Sequence, residues 1–214
     1  MTREWRRAVL LVLAVATLGG CLNLSRRYAE KTYFVLDAER PSTSEAGVAD
    51  ASDAAEGRRS STLAVRPFRV APGFESRKLV YRTGEMSFES DFYNEYFLPA
   101  GAQVTQATRD WLGRAGLFSG VLGEGSLVDA DYVLEGSLRA LHGDFSGGGG
   151  PTAVVALQVF LLRNSDRGAE ILLQKDFEAR ESISSRAPED LVIGLGDGLS
   201  AILSDLERAI RDLP

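Results

Sequence analysis

The chain has 214 residues, with 24 Lys and Arg against 30 Asp and Glu, one Cys, one His and a formal net charge of −6. A single cysteine excludes an internal disulfide framework and a thiolate zinc site, and a single histidine excludes mechanisms that need two imidazoles. The net acidity argues against a dedicated nucleic-acid-binding protein. The length favours one domain with a short appendage.

The first 20 residues have the pattern of a secretory signal peptide. Three arginines lie among the first seven residues, and an apolar run follows over residues 8–18. At about 1.5 Å per residue, this run is too short to cross a hydrocarbon core of about 30 Å. We therefore predict a signal peptide at residues 1–20 rather than a permanent transmembrane helix.

The signal segment ends in Leu18-Gly19-Gly20-Cys21, which resembles the bacterial lipobox. The resemblance implies that Cys21 becomes the first mature residue and carries acyl chains on its sulfur and its amine. The alternative is a free cysteine in an uncleaved membrane anchor. Leu22 stands where lipoproteins retained in the inner membrane typically carry Asp, so the resemblance favours the periplasmic face of the outer membrane.

After the lipobox, the sequence predicts a first strand over residues 31–37, which are rich in β-branched and aromatic side chains. Residues 38–61 are dominated by small and acidic residues, so we predict a flexible loop, with a weak helix over residues 46–55 as the alternative. Residues 21–61 are thus expected to hold the lipidated N-terminus, the first strand and this loop. The folded domain is expected over residues 62–214.

Within that domain, Pro67 interrupts a predicted strand over residues 63–70 because proline has no N–H to donate to a neighbouring strand. A hairpin is predicted from the strands at 78–82 and 86–90. Val104, Trp111 and other apolar residues share one face of a predicted helix at 103–115, which Gly116 ends.

Three long strands are predicted over residues 130–145, 152–163 and 169–183, and their short connections favour an antiparallel meander. A helix from Pro188 onward carries apolar residues at spacings of three and four. Gly194, Gly196 and Gly198 indicate either a break in this helix or a close approach to the sheet. The predicted fold is α+β: a largely antiparallel sheet with a middle helix and a long C-terminal helix packed on one face.

Candidate catalytic and metal-binding residues are few. His142 is the only imidazole and lies late in a predicted strand, where a structural or surface role is favoured over a metal ligand. Asp129 and Asp131 share one face of a strand start, where carboxylates are usually solvated. Residues 147–150 are glycines without the Lys-Ser/Thr of a phosphate-binding loop. We expect no enzyme activity, no cofactor and no metal.

A set of short motifs resembles a known family. The motifs are Leu-Ala-Val-Arg-Pro-Phe at 63–68, Ala-Pro-Gly-Phe at 71–74, Leu-Val-Tyr-Arg at 79–82 and Tyr-Asn-Glu-Tyr-Phe-Leu-Pro at 93–99. Their order is similar to that in the ABC-type transport auxiliary lipoproteins, which include the third component of paraquat-inducible systems. The lipobox and the amphipathic C-terminal helix fit the same plan.

The resemblance implies a lipid-anchored periplasmic subunit that works with an ABC permease, an ATPase and a substrate-binding subunit of the mammalian-cell-entry (Mce) type. Such systems are thought to move phospholipids or other hydrophobic molecules between membranes. This chain would dock the Mce-type subunit at the membrane that holds Cys21. The alternative is an envelope-assembly lipoprotein, pilotin-like or peptidoglycan-associated. Self-association is left open in either case.

Five aromatic residues fall within residues 88–97, which is dense for an exposed loop. Aromatic side chains dominate many protein interfaces. The candidate partner-binding residues are Tyr81, Phe92, Tyr93, Tyr96 and Phe97. The alternative is that these side chains pack in the core.

Overall fold

A computed structural model describes residues 30–41, 60–165 and 168–213. The described residues from Lys31 onward belong to one compact unit. The predicted signal peptide, Cys21 and residues 42–59 of the predicted loop lie outside the described residues. Among the helices that are described, none has the length and apolar character needed to cross a membrane.

The described part of the chain is an α+β fold, as predicted. Its two helices are α1 (Ala100–Ala115) and α2 (Pro188–Arg211), and a single 3₁₀ turn covers Pro72–Phe74. The strands are β1 (Thr32–Phe34), β2 (Thr62–Val65), β3 (Arg69–Val70), β4 (Lys78–Arg82), β5 (Phe88–Tyr96), β6 (Gly120–Leu122), β7 (Tyr132–Asp144), β8 (Thr152–Ser165) and β9 (Gly168–Ser182).

Strand β7 organises the sheet. Along one edge it pairs antiparallel with β8, which pairs antiparallel with β9, so the predicted meander is confirmed. Along its other edge lie β2, β3 and β4 in succession, all parallel to it. Strand β6 extends the sheet beyond β2, while β5 pairs antiparallel with β4 and parallel with β1. The sheet is therefore mixed, with its long strands antiparallel.

One face of the long strands forms the core beneath α2, while α1 packs on the short strands β2, β3 and β6. Leu134 and Leu138 of β7 and Leu157 and Leu161 of β8 are fully buried there. Alternate residues of a strand point to the same face, so this pattern follows directly from the spacing of the apolar side chains. Helix α2 covers this face with apolar residues that recur at the predicted spacings of three and four: Leu191, Leu195, Leu199, Ile202, Leu203, Leu206 and Ile210.

The segment after β1 is packed rather than loose. Leu36 and Ala38 are buried in the core, and the Leu36 N–H donates to Gln103 Oε1 of α1 at 2.7 Å. Arg40 then pairs with Glu207 of α2. The expectation that a flexible loop begins at residue 38 is therefore wrong for its first residues, because two helices supply partners that the local composition does not reveal.

Several element boundaries differ from the prediction. Strand β5 continues to Tyr96 instead of ending near residue 90, because it gains β1 as a second neighbour. Helix α1 begins at Ala100, directly after Pro99, and ends before Gly116, which adopts the left-handed conformation predicted for a helix-ending glycine. Strand β6 has only three residues, and it is recognisable only through its pairing with β2.

Candidate functional site

A bulge in β5 is the starting point of the candidate site. Val80 of β4 pairs with Ser90, but Lys78, only two residues earlier, pairs with Glu95. Strand β5 therefore holds three extra residues between these two pairs, and they project from the ladder. Within this bulge lie Phe92 and Tyr93.

The side chain of Asp91 holds the bulge in shape. Its Oδ1 accepts the backbone N–H groups of Tyr93 at 2.8 Å and Asn94 at 3.0 Å. Its Oδ2 accepts the Tyr81 hydroxyl at 2.6 Å and the Asn94 amide at 2.9 Å. Burial alone would raise the pKa of Asp91, but these hydrogen bonds outweigh it and lower that pKa. The carboxylate therefore stays charged and keeps accepting all four bonds at neutral pH.

The bulge presents aromatic rings to solvent. Phe92 is 56% exposed, Tyr93 45% and Phe97 58%. The rings of Phe92 and Tyr93 meet edge to face, with centroids 5.1 Å apart. The ammonium nitrogens of Lys31 and Lys78 lie 5.5 Å and 5.7 Å from the Phe92 centroid, which places two cations around one ring.

The same cluster extends onto β1. The guanidinium carbon of Arg77 lies 5.7 Å from the ring centroid of the exposed Tyr33, and its Nη1 donates to the Phe97 carbonyl at 3.1 Å. The connected set is called the aromatic–basic surface below. It consists of Lys31, Tyr33, Arg77, Lys78, Phe92, Tyr93 and Phe97.

One buried carboxylate underlies this surface. Glu95 accepts from Lys31 Nζ at 2.5 Å and from Arg77 Nη2 at 3.4 Å. The hydrogen bond from Lys31 is the main reason why the pKa of Glu95 is lowered. Two cations therefore contact one carboxylate. With Lys78, three basic side chains stand against the two carboxylates of Glu95 and Asp91, so this region has an excess of positive charge on an acidic chain.

The five predicted partner residues divide into two groups. Phe92, Tyr93 and Phe97 are exposed, as an interface requires. Tyr96 is buried, its hydroxyl has no hydrogen-bond partner among the described residues, and burial raises its pKa. Tyr81 is partly buried and stacks on Phe145 with centroids 5.4 Å apart. Burial and the bond to Asp91 raise the pKa of Tyr81. The core-packing alternative therefore describes Tyr96 and, in large part, Tyr81.

Sequence reasoning missed the basic half of the surface. Lys31, Arg77 and Lys78 are distant in sequence from Phe92 or separated from it by the hairpin. Lys31 reaches the surface because β1 pairs parallel with β5, a long-range contact that no local pattern reveals. Arg77 and Lys78 reach it through the pairing of β4 with β5, whose register the bulge shifts. The position of Lys31 and Tyr33 at the start of the first strand is the only available hint.

The other candidate residues, His142, Asp129 and Asp131, are either buried in the fold or exposed at its surface. His142 is buried between Phe74, with ring centroids 5.8 Å apart, and Phe88, at 5.4 Å. Asp131 is exposed and accepts from the N–H and hydroxyl of Thr62 at 2.8 Å and 3.0 Å. Asp129 is exposed as well. Across residues 30–41, 60–165 and 168–213, His, Cys, Asp and Glu form no group of three or more suited to a metal ion.

A groove of about 450 Å³ lies between α1 and the β2–β3 segment. Phe68, Val70 and Gly101 form part of its wall, and Arg109 and Glu124 also line it. Thr105 closes one side by accepting the Phe68 N–H at 2.9 Å and donating to the Gly101 carbonyl at 2.6 Å. The groove thus follows from the packing of α1 on β3.

Comparison with known proteins finds likeness in structure alone. No protein-family model matches the chain, and no curated protein matches its sequence. The protein XCC0632 of Xanthomonas campestris, described under the family model DUF330, superposes with a TM-score of 0.62 at 19% identity, over 69% of this chain and 82% of its own. A second solved structure, of a protein described as uncharacterized, gives a TM-score of 0.60 at 15% identity, over 85% and 99%. The chain shares its fold with both proteins.

Proposed function

We propose that the chain is an acyl-anchored accessory subunit of an Mce-like ABC transport system in the cell envelope. It would stand on the periplasmic face of the outer membrane and dock the Mce-type substrate-binding subunit there. The permease and the ATPase would be separate chains. The transported cargo would be a lipid or another hydrophobic compound.

The anchor rests on the lipobox-like segment that ends in Cys21. A single acyl chain binds a membrane reversibly at about 0.8 kcal/mol per buried methylene, whereas two or more chains hold a protein durably. Cleavage before Cys21 would remove Arg3, Glu4, Arg6 and Arg7 and change the net charge from −6 to −8. The overall charge would then not draw the chain to anionic lipids, so the acyl chains would provide the attachment.

Docking rests on the apolar side chains that the β4–β5 hairpin leaves in solvent. Met86 is 93% exposed and Phe88 54%, and both lie at the turn end of the hairpin. Large apolar side chains that are exposed together mark interaction sites in soluble domains. This exposure is the observation that best supports an accessory role, since a fold by itself does not specify a function.

Photocrosslinking tests the docking. A photoreactive phenylalanine analogue replaces Phe88 in the lipidated protein in its native host, and the same analogue replaces the exposed Ile193 on α2 as the control. We expect position 88, and not position 193, to crosslink to a subunit that mass spectrometry identifies as Mce-type. Repeated absence of such a subunit, with no transporter genes beside this gene, would contradict the proposal. Crosslinks to a secretin or to peptidoglycan-linked proteins would support the envelope-assembly alternative instead.

A further inference from the structure

We propose that the aromatic–basic surface rests on the lipid headgroups of the membrane that holds Cys21, so that the domain has a fixed orientation on the bilayer. This inference rests on the acyl anchor of the proposed function. It assigns Phe92, Tyr93 and Phe97 to lipid, and it leaves Met86 and Phe88 at the turn end of β5 for a protein partner.

The aromatic–basic surface combines the residue types that are typical of a contact with the membrane interface. Aromatic rings concentrate at the boundary between headgroups and acyl chains, and Lys and Arg beside them reach toward phosphate. Here Phe92 projects from a bulge that four hydrogen bonds to Asp91 stabilise, so the ring stays in solvent instead of folding back. Holding an apolar ring outward costs free energy in water, and a headgroup layer removes that cost.

The charge of the surface points to the same occupant. Lys31 and Arg77 share the single buried carboxylate of Glu95, and Lys78 lies over Phe92 without a salt bridge among the described residues. The excess is positive although the mature chain would be acidic overall. Each basic side chain near an anionic leaflet strengthens binding about fivefold, so even a small excess orients a molecule that is already tethered.

The tether starts close to this surface. Lys31 is the tenth residue after Cys21, so even a fully extended connection spans no more than about 36 Å. Lys31 and Tyr33 belong to the surface themselves, so the chain enters the described domain at the proposed lipid contact. A short tether makes the second contact intramolecular, so weak individual interactions suffice.

The test uses the lipidated mature protein reconstituted in vesicles of phosphatidylethanolamine and phosphatidylglycerol with brominated acyl chains. Phe92→Trp places a reporter in the surface, and Ile193→Trp places one on the exposed side of α2 as the matched control. Trp111 is buried and gives both variants the same background. We expect bromine to quench the Phe92→Trp emission and to leave the Ile193→Trp emission unchanged. Tyr93→Trp serves as a second reporter should Phe92→Trp fold poorly.

A charge variant adds a graded readout. The tethered domain exchanges between a state in which the aromatic–basic surface contacts lipid and one in which it does not. Lys78→Gln should shift this equilibrium about fivefold away from the lipid-contacting state, and the quenching should fall accordingly. Vesicle flotation without quenching at positions 92 and 93 would overturn the inference and leave the anchor intact. A third outcome is that bromine does not quench the emission in vesicles but the emission changes when the Mce-type subunit is added. That result would overturn the inference in favour of protein docking. Failure to float would remove the anchor itself.

Discussion

His142 illustrates how the sheet determines the chemistry of a single residue. It is the only imidazole of the chain, and the rings of Phe74 and Phe88 enclose it. Burial is the main cause that lowers its pKa below 6.5, and Arg82 and Arg180 act in the same direction against Asp144 and Glu178. The imidazole is therefore neutral at pH 7 and contributes packing.

The lowered pKa of His142 has a consequence for stability. The unfolded chain binds this proton more readily, so the contribution is fully present above about pH 6.5 and is lost as the pH falls through the folded-state pKa. We expect the single imidazole resonance to titrate with a midpoint below 6.5 in NMR, and His142→Phe to remove this part of the pH dependence of unfolding. A midpoint at or above 6.5 would contradict the burial that the structure shows.

Glu207 is a second residue whose protonation state is set by its environment. It accepts the Trp111 indole N–H at 2.8 Å and binds Arg40 through two bonds of 2.9 Å and 3.1 Å and Arg211 at 2.6 Å. Burial would raise the pKa of Glu207, but these bonds outweigh it and lower that pKa. One carboxylate thus connects α1, α2 and the segment after β1.

Replacing this carboxylate should destabilise the fold. Glu207→Gln should lower the free energy of unfolding in urea by about 1.5–3 kcal/mol at pH 7, the range for hydrogen bonds to a charged group. The difference should shrink as the pH falls below 4.5, since Glu207 takes up a proton first in the unfolded chain and then, at its lowered pKa, in the folded protein. Asp205→Asn, on the exposed side of the same helix, is the control and should cost about 0.5 kcal/mol or less. Equal effects of the two substitutions would refute this role of Glu207.

At the scale of elements, the glycines of α2 are a sequence pattern that does not by itself determine the path of the helix. Gly194, Gly196 and Gly198 were compatible with a break or with a close approach, and the structure shows an unbroken helix. A methyl group at Gly196 would overlap the Asp37 carbonyl oxygen, and one at Gly198 would lie 3.3 Å from Val155. The glycines therefore let the helix lie against the sheet and against the segment after β1.

A pair of alanine substitutions separates packing from helix propensity. Gly196→Ala should lower the melting temperature because the backbone of Asp37 must move, even though alanine favours a helix by about 1 kcal/mol. Gly113→Ala in α1, where a methyl group meets nothing within 4 Å, should raise it by that propensity alone. A stabilising effect at position 196 would mean that the close approach of α2 is absent in solution.

The elements recovered from sequence are those with strong local signals. Strand β4, the meander and α2 follow from alternation, turn residues and a spacing of three and four. The parallel pairing of β1 with β5 and of β2 with β6 joins residues about 60 positions apart, so no window contains it. The bulge at Asp91 escaped for a different reason: Tyr81 lies only ten residues away, but the bulge depends on side-chain hydrogen bonds that alternation and turn signals do not encode.

At the scale of the whole molecule, the domain places two kinds of surface on one hairpin. The bulge end adjoins β1 and hence the chain that leads toward Cys21, and the turn end carries Met86 and Phe88. Sequence reasoning identified the aromatic part of these surfaces but could not separate exposed rings from the buried Tyr96. To separate them, one must know on which face of the sheet each residue lies, and the bulge reverses that face partway along β5.

Both proposals rest on the acyl anchor that the sequence predicts, so the chemical state of Cys21 is the most direct test. Mass spectrometry of the protein from the envelope fraction should show Cys21 as the first residue, with the mass of a diacylglyceryl group on its sulfur and a fatty acid on its amine. Cys21→Ser should release the chain from membranes or leave it unprocessed. An intact N-terminus at Met1 with an unmodified Cys21 would contradict the account.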